Sequence, residues 1–255
     1  MRVKALVLFL AFLFFANLAI NDYISSSRQP AFVSRVIDGD TIELGNGEKV
    51  RLLGVNAPEK EEIGYEEAKA SLAKAIEGKN VTIESMKKDR YERVLGYVYL
   101  NDLSVNLGMI KSGLAHVYFL KSGRYEKLFE DAEMEAMKKE IGIWKKSEID
   151  CITVAEFQWD EGQEKDSNNE WVVFRNDCNS SLDLDGWYVK DEATHIYKFK
   201  NVELSVGETL TLITGTGHDS DNIVYWNQKT PIWNNDGDRL FLRDGEGRLA
   251  LLVNT

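Results

Sequence analysis

The spacing of apolar residues changes near Ile149, and this change constrains the fold of the chain more than any other feature. Between Pro30 and Trp144, short alternating runs typical of β-strands are interleaved with longer runs of helical period. Their order is three strands, one helix, two strands and two helices. After Ile149 the helical period disappears, and short strand-like runs recur between turn signals such as Asp185-Gly186. We therefore expect an α+β unit followed by an all-β unit.

The pattern also sets the expected elements of the first unit. Asn46-Gly47 is a hairpin signal between the second and third strands, because both residues tolerate a positive φ angle. The helices are expected to end at Gly78, at Gly113 and near Gly142. The expected strands are 32–37, 41–44, 50–55, 81–86 and 94–100, and the expected helices are 66–76, 103–112 and 125–140.

Charge is distributed unevenly between the two units. The chain of 255 residues has a net charge of −11. Residues 31–148 contain 19 basic and 21 acidic side chains, whereas residues 149–255 contain 9 and 20. Such asymmetry indicates separate units with different partners, and the acidic unit is poorly suited to bind phosphates. We divide the chain into 1–30, 31–148 and 149–255.

The N-terminus has the layout of a targeting segment. Arg2 and Lys4 precede an apolar run over 5–16, as in a signal peptide. This run is shorter than the ~20 residues that span a bilayer. The sequence around Ala16 lacks a clean small-x-small cleavage site, so a cleaved signal peptide and a retained N-terminal anchor both stay open. We expect the protein to be secreted, or extracellular and anchored to the membrane.

The two cysteines both lie in or near the second unit. Cys151 precedes one strand-like run and Cys178 follows another. If these runs pair as antiparallel strands, the two cysteines become neighbours, and an exported protein would oxidise them. We expect a disulfide, with two separate thiols as the alternative. A zinc site is not expected, because the chain has only three histidines and none is at ligand spacing.

Three short segments of the first unit contain residues suited to phosphodiester chemistry. The first is Ile37-Asp38-Gly39-Asp40-Thr41, the second runs from Arg51 through Asn56-Ala57-Pro58-Glu59, and the third is Asp89-Arg90-Tyr91-Glu92-Arg93. Converging oxygens suit a hard divalent cation, and a guanidinium beside the cation suits a phosphodiester. In this order and spacing, the segments resemble the staphylococcal nuclease family over nearly all of 31–147. The resemblance implies an OB-type β-barrel with three helices that cleaves DNA and RNA using calcium.

The resemblance also implies roles for individual residues. Asp40, Asn56 and the backbone carbonyl of Ala57 would bind the metal, with Asp38 supporting the site. Glu59 would position or deprotonate the attacking water. Arg51 and Arg93 would be catalytic, binding the scissile phosphate and stabilising the charge that accumulates on it. The residues expected to bind the rest of the substrate are Tyr91, Arg90, Tyr118, Lys87 and Lys88.

Two positions depart from the pattern of the family. Asn56 replaces an aspartate, which removes a negative charge from the expected metal site and should weaken metal binding or shift the ion preference. Glu92 replaces a glycine beside Arg93. Its carboxylate can either pair with Arg93 or point outward.

The second unit resembles the lamin-tail family. The segments that show the resemblance are 169–176, 182–189 and 233–240. It implies an all-β immunoglobulin-like sandwich that often accompanies exported nucleases and has no catalytic residues of its own. The partner of this acidic unit is unknown.

We expect an exported calcium-dependent nuclease that hydrolyses DNA, RNA or both with low sequence specificity. Two alternatives stay open. The first unit can be a nucleic-acid-binding module weakened in catalysis by Asn56. Alternatively, the whole chain can be a surface interaction protein.

Overall fold

The computed structural model describes residues 28–118, 125–159, 167–234 and 237–254. The targeting segment expected at the N-terminus lies outside these residues. Within the described ranges, no helix is both long enough and apolar enough to cross a membrane. The two largest hydrophobic cores of the described residues are separate, one built from residues within 31–132 and the other from residues within 149–253.

The first unit is a closed β-barrel. Its strands are β1 (Gln29–Val36), β2 (Thr41–Leu44), β3 (Lys49–Leu52), β4 (Val55–Asn56), β5 (Asn80–Lys88), β6 (Val94–Leu100), β7 (Leu103–Ser104) and β8 (His116–Val117). The sheet has the order β3-β2-β1-β5-β6, and a parallel pairing between β3 and β6 closes it into a barrel. The hairpin between β2 and β3 turns at Gly47, which has a φ of 83°.

Three helices complete the first unit: α1 (Tyr65–Ile76), α2 (Val105–Lys111) and α3 (Glu126–Lys138). Helix α1 buries Ala68, Leu72 and Ile76, which lie one turn apart on one face. Helix α2 begins two residues later than the expected 103, because the side chain of Ser104 caps it by accepting a hydrogen bond from the N–H of Leu107 at 3.2 Å.

The strand expected over 50–55 is interrupted. Gly54 adopts a φ of 77°, which ends β3 and starts the short strand β4 in a new direction. Strand β4 pairs antiparallel with β8, and this pairing places Asn56 opposite His116. The interruption therefore turns Asn56 away from the barrel sheet and into a separate two-stranded pair.

Within the described residues, the second unit consists mainly of short strands. Its strands are β9 (Ile152–Gln158), β10 (Trp171–Asn176), β11 (Leu182–Asp183), β12 (Tyr188–Lys190), β13 (Ile196–Lys198), β14 (Glu203–Leu204), β15 (Thr209–Ile213), β16 (Ile223–Tyr225), β17 (Arg239–Arg243) and β18 (Leu249–Asn254). Two four-stranded sheets, β16-β15-β10-β9 and β13-β12-β17-β18, supply the main layers. The expected fold class, a barrel with three helices followed by an immunoglobulin-like β-sandwich, is confirmed.

A disulfide joins the two cysteines. Strands β9 and β10 pair antiparallel with Ile152 opposite Asn176. Cys151 lies just before this pair and Cys178 just after it, so their Cα atoms are 4.9 Å apart and their sulfurs are bonded. The disulfide therefore follows from the antiparallel register of the two strands.

The two units pack against each other through a small third core. Ala136 and Trp144 of the first unit are buried together with Phe241 of the second. Backbone hydrogen bonds reinforce the contact, since the N–H of Leu249 donates to the carbonyl of Lys145 at 2.8 Å. The second unit is thereby placed beside β4 and β8.

Candidate active site

The segment from Asp38 to Asp40 forms a tight turn between β1 and β2. Asp38 Oδ1 accepts a hydrogen bond from the N–H of Asp40 at 3.0 Å. A Cβ atom on Gly39 would lie 2.5 Å from the Cβ of Ala57 and 2.8 Å from that of Ala68, so a larger residue would force these elements apart. Asp40 Oδ2 accepts a hydrogen bond from the N–H of Ala57 at 2.9 Å. The turn is thus joined directly to the segment that follows β4.

Arg51 connects the residues expected at the metal site. Its Nη1 atom donates to the carbonyl of Leu52 at 3.1 Å and to the carbonyl of Val55. Its Nη2 atom lies 3.0 Å from Asn56 Oδ1 and 3.1 Å from Asp40 Oδ2. Only 13% of the Arg51 side chain is exposed, so these bonds are largely shielded from water. The guanidinium therefore both neutralises Asp40 and fixes the oxygen of Asn56.

Asn56 is also bound by the second unit. Its Nδ2 atom donates to the carbonyl oxygens of Glu192 at 3.2 Å and Ala193 at 2.9 Å. His116 Nε2 lies 3.2 Å from the same nitrogen. Burial holds the pKa of His116 well below its usual range, so the neutral ring can accept this third contact. An aspartate has no N–H to donate, and this explains why an asparagine fits position 56 in this chain.

Glu59 lies in the irregular segment between β4 and α1. Its backbone N–H donates to Glu62 Oε2 at 2.7 Å. Glu59 is an exposed residue, but partial burial of its carboxyl raises the pKa of this group, the charge of Lys190 opposes the shift, and Asp38 reinforces it. The charge of Arg51 also lowers the pKa of the Glu59 carboxyl. Glu59 is therefore within electrostatic range of the turn that carries Asp40.

The donor atoms of this site suit an oxygen-seeking cation. Burial raises the pKa of Asp40 to about 6, with Arg51 opposing the shift and Asp38 reinforcing it, so a cation nearby would favour the charged form. The carbonyl oxygen of Asn56 has a second lone pair besides the one used by Arg51. In the described ranges, no three His, Cys, Asp or Glu side chains are grouped to hold a metal.

Comparison with known proteins supplies the family. The Staphylococcal nuclease homologue family matches residues 49–146, and the Lamin Tail Domain family matches residues 147–254. The thermonuclease of Staphylococcus intermedius is 38% identical over 126 residues, which cover 45% of this chain and 75% of the relative. The chain belongs to the staphylococcal nuclease family. An uncharacterized endonuclease of Haemophilus influenzae is 35% identical over 124 residues, covering 47% of this chain and 68% of the relative. An uncharacterized endonuclease of Escherichia coli is 34% identical over 116 residues, covering 44% and 74%.

Both resemblances seen in the sequence are thus confirmed: a nuclease domain is followed by a lamin-tail domain. The matches meet between residues 146 and 147. The contacts of Asn56 with Glu192 and Ala193 are accordingly contacts between the two domains.

Arg93, the second arginine expected to bind phosphate, pairs with Asp89 and not with its sequence neighbour Glu92. Arg93 Nη2 lies 2.8 Å from Asp89 Oδ2. Although burial acts in the opposite direction, hydrogen bonds from Arg93 and Tyr91 hold the pKa of Asp89 below its usual range. Glu92 instead lies 3.9 Å from Lys88 Nζ, and 84% of its side chain is exposed. Of the two alternatives for Glu92, the outward one is therefore the one observed.

Tyr91 forms an exposed platform between two arginines. Its exposed fraction is 63%. The guanidinium carbons of Arg90 and Arg93 lie 4.8 Å and 5.3 Å from the centre of its ring. Exposed aromatic rings flanked by cations are suited to stacking on bases and contacting phosphates.

The remaining residues expected to bind substrate are more dispersed. Lys87 and Lys88 lie exposed at the end of β5, and Lys88 is 3.8 Å from Glu48, so its charge is partly compensated. Tyr118 follows β8. Burial, together with Asp191 and Glu192 of the lamin-tail domain, raises the pKa of Tyr118, while Arg51 opposes the shift. Tyr118 therefore lies between the arginine site and the acidic loop of the lamin-tail domain.

Several residues that join the two domains at the site were not identified in the sequence analysis. Arg239 of the lamin-tail domain lies 2.8 Å from Glu133 and donates to the carbonyl of Val117 at 2.6 Å. Lys190 lies 2.6 Å from Glu62. These partners are more than 100 residues apart in the chain, so no local pattern could have identified them.

Proposed function

We propose that this protein is a metal-dependent nuclease that hydrolyses the phosphodiester bonds of DNA, RNA or both with low sequence specificity. The observation that carries the proposal is the position of the Arg51 guanidinium, 3.1 Å from Asp40 and 3.0 Å from Asn56. These are the two side chains at which the family resemblance expects the metal. Membership of a nuclease family supports the same activity, since the relatives named above are a thermonuclease and endonucleases.

In the proposed reaction, Glu59 accepts a proton from the water whose oxygen attacks phosphorus. The bond between phosphorus and the leaving oxygen then breaks. That oxygen takes a proton from solvent water, and the hydroxide that remains takes the proton held by Glu59. Arg51 and Arg93 bind the non-bridging oxygens and stabilise the charge that accumulates on them. A bound calcium ion would act as a Lewis acid on the phosphate. It would be held by Asp40, Asn56 and the carbonyl of Ala57.

Low sequence specificity follows from the kind of contacts that the site offers. The guanidinium groups and lysines described above suit phosphates, and phosphate contacts carry no direct sequence information. Tyr91 offers a ring face, on which any base can stack.

We also propose that the protein is exported. The basic residues and apolar run of the N-terminal segment support this, as does the disulfide between Cys151 and Cys178, which is a bond typical of oxidising compartments. Whether the segment is removed or kept as an anchor decides between secretion and membrane attachment.

The test compares conservative variants with exposed neighbours. We expect Glu59→Gln to lower kcat by about 10²–10⁴ and Arg51→Lys by about 10²–10³. Substituting Arg51 by alanine would be a poorer test, because the four oxygens that it binds would lose their donor. The matched controls are Glu61→Gln and Arg35→Lys, since 85% and 63% of these two side chains are exposed. Cleavage by Glu59→Gln at the rate of Glu61→Gln would overturn the proposal.

A catalytically weakened nucleic-acid-binding module is the second candidate, and one observation favours it. The side chain of Asn56 is engaged on both sides, by Arg51 at its oxygen and by the lamin-tail domain at its nitrogen. Tight binding of DNA without hydrolysis at any concentration of added calcium would select this function.

A further inference from the structure

The loop that carries Glu59 has no regular secondary structure. It lies between β4 and α1, where no strand or helix supplies hydrogen bonds in a regular ladder. The N–H of Glu59 instead donates to the carboxylate of Glu62 at 2.7 Å, and the N–H of Glu62 donates back to the carbonyl of Glu59 at 2.8 Å. The position of Glu59 therefore depends on where the Glu62 carboxylate lies.

The carboxylate of Glu62 is held by the lamin-tail domain. Lys190 Nζ lies 2.6 Å from Glu62 Oε2, which is the same oxygen that binds Glu59. Only 5% of each side chain in the ion pair is exposed. The space around the pair is lined by apolar Pro58 and Phe241 and also by the buried Arg243. Arg243 Nη1 donates to the carbonyls of Ile143 and Gly247, so Lys190 is the cation that contacts Glu62 directly. A buried carboxylate that lost its cation would have to take up a proton or move toward solvent.

Lys190 is itself held rigidly. It is the last residue of β12, which lies between β13 and β17 in the middle of its sheet, opposite Ile196 and Phe241. The residues that follow it, Glu192 and Ala193, present the carbonyls that bind Asn56. One short stretch of the lamin-tail domain thus contacts Asn56 on one side of Glu59 and Glu62 on the other.

We infer that Lys190 is a positioning residue of the nuclease site, which acts through Glu62 to fix the backbone that presents Glu59. The lamin-tail domain is then part of the catalytic unit and not only an appended binding module. The inference rests on the proposed function, because it assigns Lys190 a role in the same reaction.

The test uses the full chain and two measurements. The first is backbone hydrogen exchange of peptides covering 57–64, which needs no activity. The second is kcat and KM for DNA cleavage with calcium. In Lys190→Met we expect exchange over 57–64 to become at least about tenfold faster. We expect kcat to fall by about 10-fold to 100-fold with KM within about threefold of the unaltered chain, because Glu59 is displaced while phosphate binding is kept.

Two double variants separate positioning from general stability. Lys190→Met with Glu62→Gln removes both charges but leaves an oxygen that accepts the N–H of Glu59. Lys190→Met with Glu62→Leu removes both charges and the acceptor. We expect the Gln variant to regain slow exchange and most of kcat, and the Leu variant to regain neither. Lys198→Met is the matched control, since Lys198 makes an exposed interdomain pair with Glu61 at 3.8 Å.

The outcomes distinguish this inference from the proposed function. No hydrolysis by the unaltered chain would remove the proposed function and the catalytic role of Lys190 with it. Hydrolysis by the unaltered chain, with kcat and exchange over 57–64 unchanged in folded Lys190→Met, would overturn the inference alone. If Lys190→Met does not fold, equal kcat and exchange in the two double variants would overturn it.

Discussion

Replacing Asn56 by aspartate, the residue usual in the family, should destabilise this protein in the absence of metal. The carbonyls of Glu192 and Ala193 would lose a donor and face an anion at a distance where they now accept hydrogen bonds of 3.2 Å and 2.9 Å. A fully buried acceptor left without a partner costs about 1–3 kcal/mol, and because these two carbonyls are only partly buried we take about 1.5–2 kcal/mol for each. A stronger bond to Arg51 would return about 1 kcal/mol, because hydrogen bonds to charged groups are stronger than neutral ones. The net loss is therefore about 2–3 kcal/mol.

This loss is large enough to measure by thermal unfolding. For a chain of this size, 1 kcal/mol corresponds to about 2–4 °C in Tm, so Asn56→Asp should melt about 4–12 °C below the unaltered chain in chelator. The matched control is Asn46→Asp. Asn46 is exposed, and its side-chain oxygen accepts the N–H of Glu48 at 3.0 Å, which an aspartate can also do. We expect that control to shift Tm by less than about 2 °C.

Adding calcium should raise the Tm of Asn56→Asp and so offset this destabilisation. A second carboxylate strengthens an oxygen site, so the rise in Tm on adding calcium should be larger for Asn56→Asp than for the unaltered chain. A variant that melts at or above the temperature of the unaltered chain in chelator would refute the reasoning, because the lamin-tail carbonyls would then not depend on Asn56.

Two further predictions concern the lamin-tail domain. Replacing Cys151 and Cys178 by serine removes a crosslink between residues 27 apart in sequence and should lower the free energy of unfolding by about 3–4 kcal/mol in denaturant titrations; a loss below about 1 kcal/mol would contradict this. A hydrogen bond from His195 to Asp191 raises the pKa of His195, so its contribution to stability is present below the unfolded pKa and is lost as pH rises through the folded one. The Tm difference between the unaltered chain and His195→Gln should therefore be larger at about pH 5.5 than at about pH 8.5, and an equal or opposite difference would count against the pairing.

The sequence predicted the fold class because its signals are local. The hairpin at Asn46-Gly47 and the helix stop at Gly78 both depend on residues adjacent in the chain. Gly54 was misread as the interior of a strand, because an isolated glycine in an alternating run does not reveal its φ angle. Likewise, the positive φ of 61° at Glu92 explains why a glycine is usual there, but only the structure shows that its carboxylate turns toward Lys88.

The site could be predicted only in part, because sequence signals are local and some of its contacts come from distant parts of the chain. Asp38 and Asp40 lie in the turn between β1 and β2, Arg51 lies on the neighbouring β3, and the order of their segments was enough to group them. The contacts that explain Asn56 come from residues 136 and 137 positions away, and those that hold Glu62 come from 128 positions away. A substitution that the sequence showed only as the loss of a negative charge at the expected metal site is, in the structure, also the gain of a donor to the neighbouring domain.

The central claim is that this chain hydrolyses phosphodiester bonds at the site shared by Asp40, Arg51 and Glu59. The most direct measurement is cleavage of fluorescently labelled single- and double-stranded DNA by the full chain, with calcium, with magnesium and with chelator, beside Glu59→Gln. We predict cleavage with a divalent cation that stops in chelator and falls by at least about 100-fold in Glu59→Gln. Intact DNA under every condition, or equal cleavage by Glu59→Gln, would contradict the account.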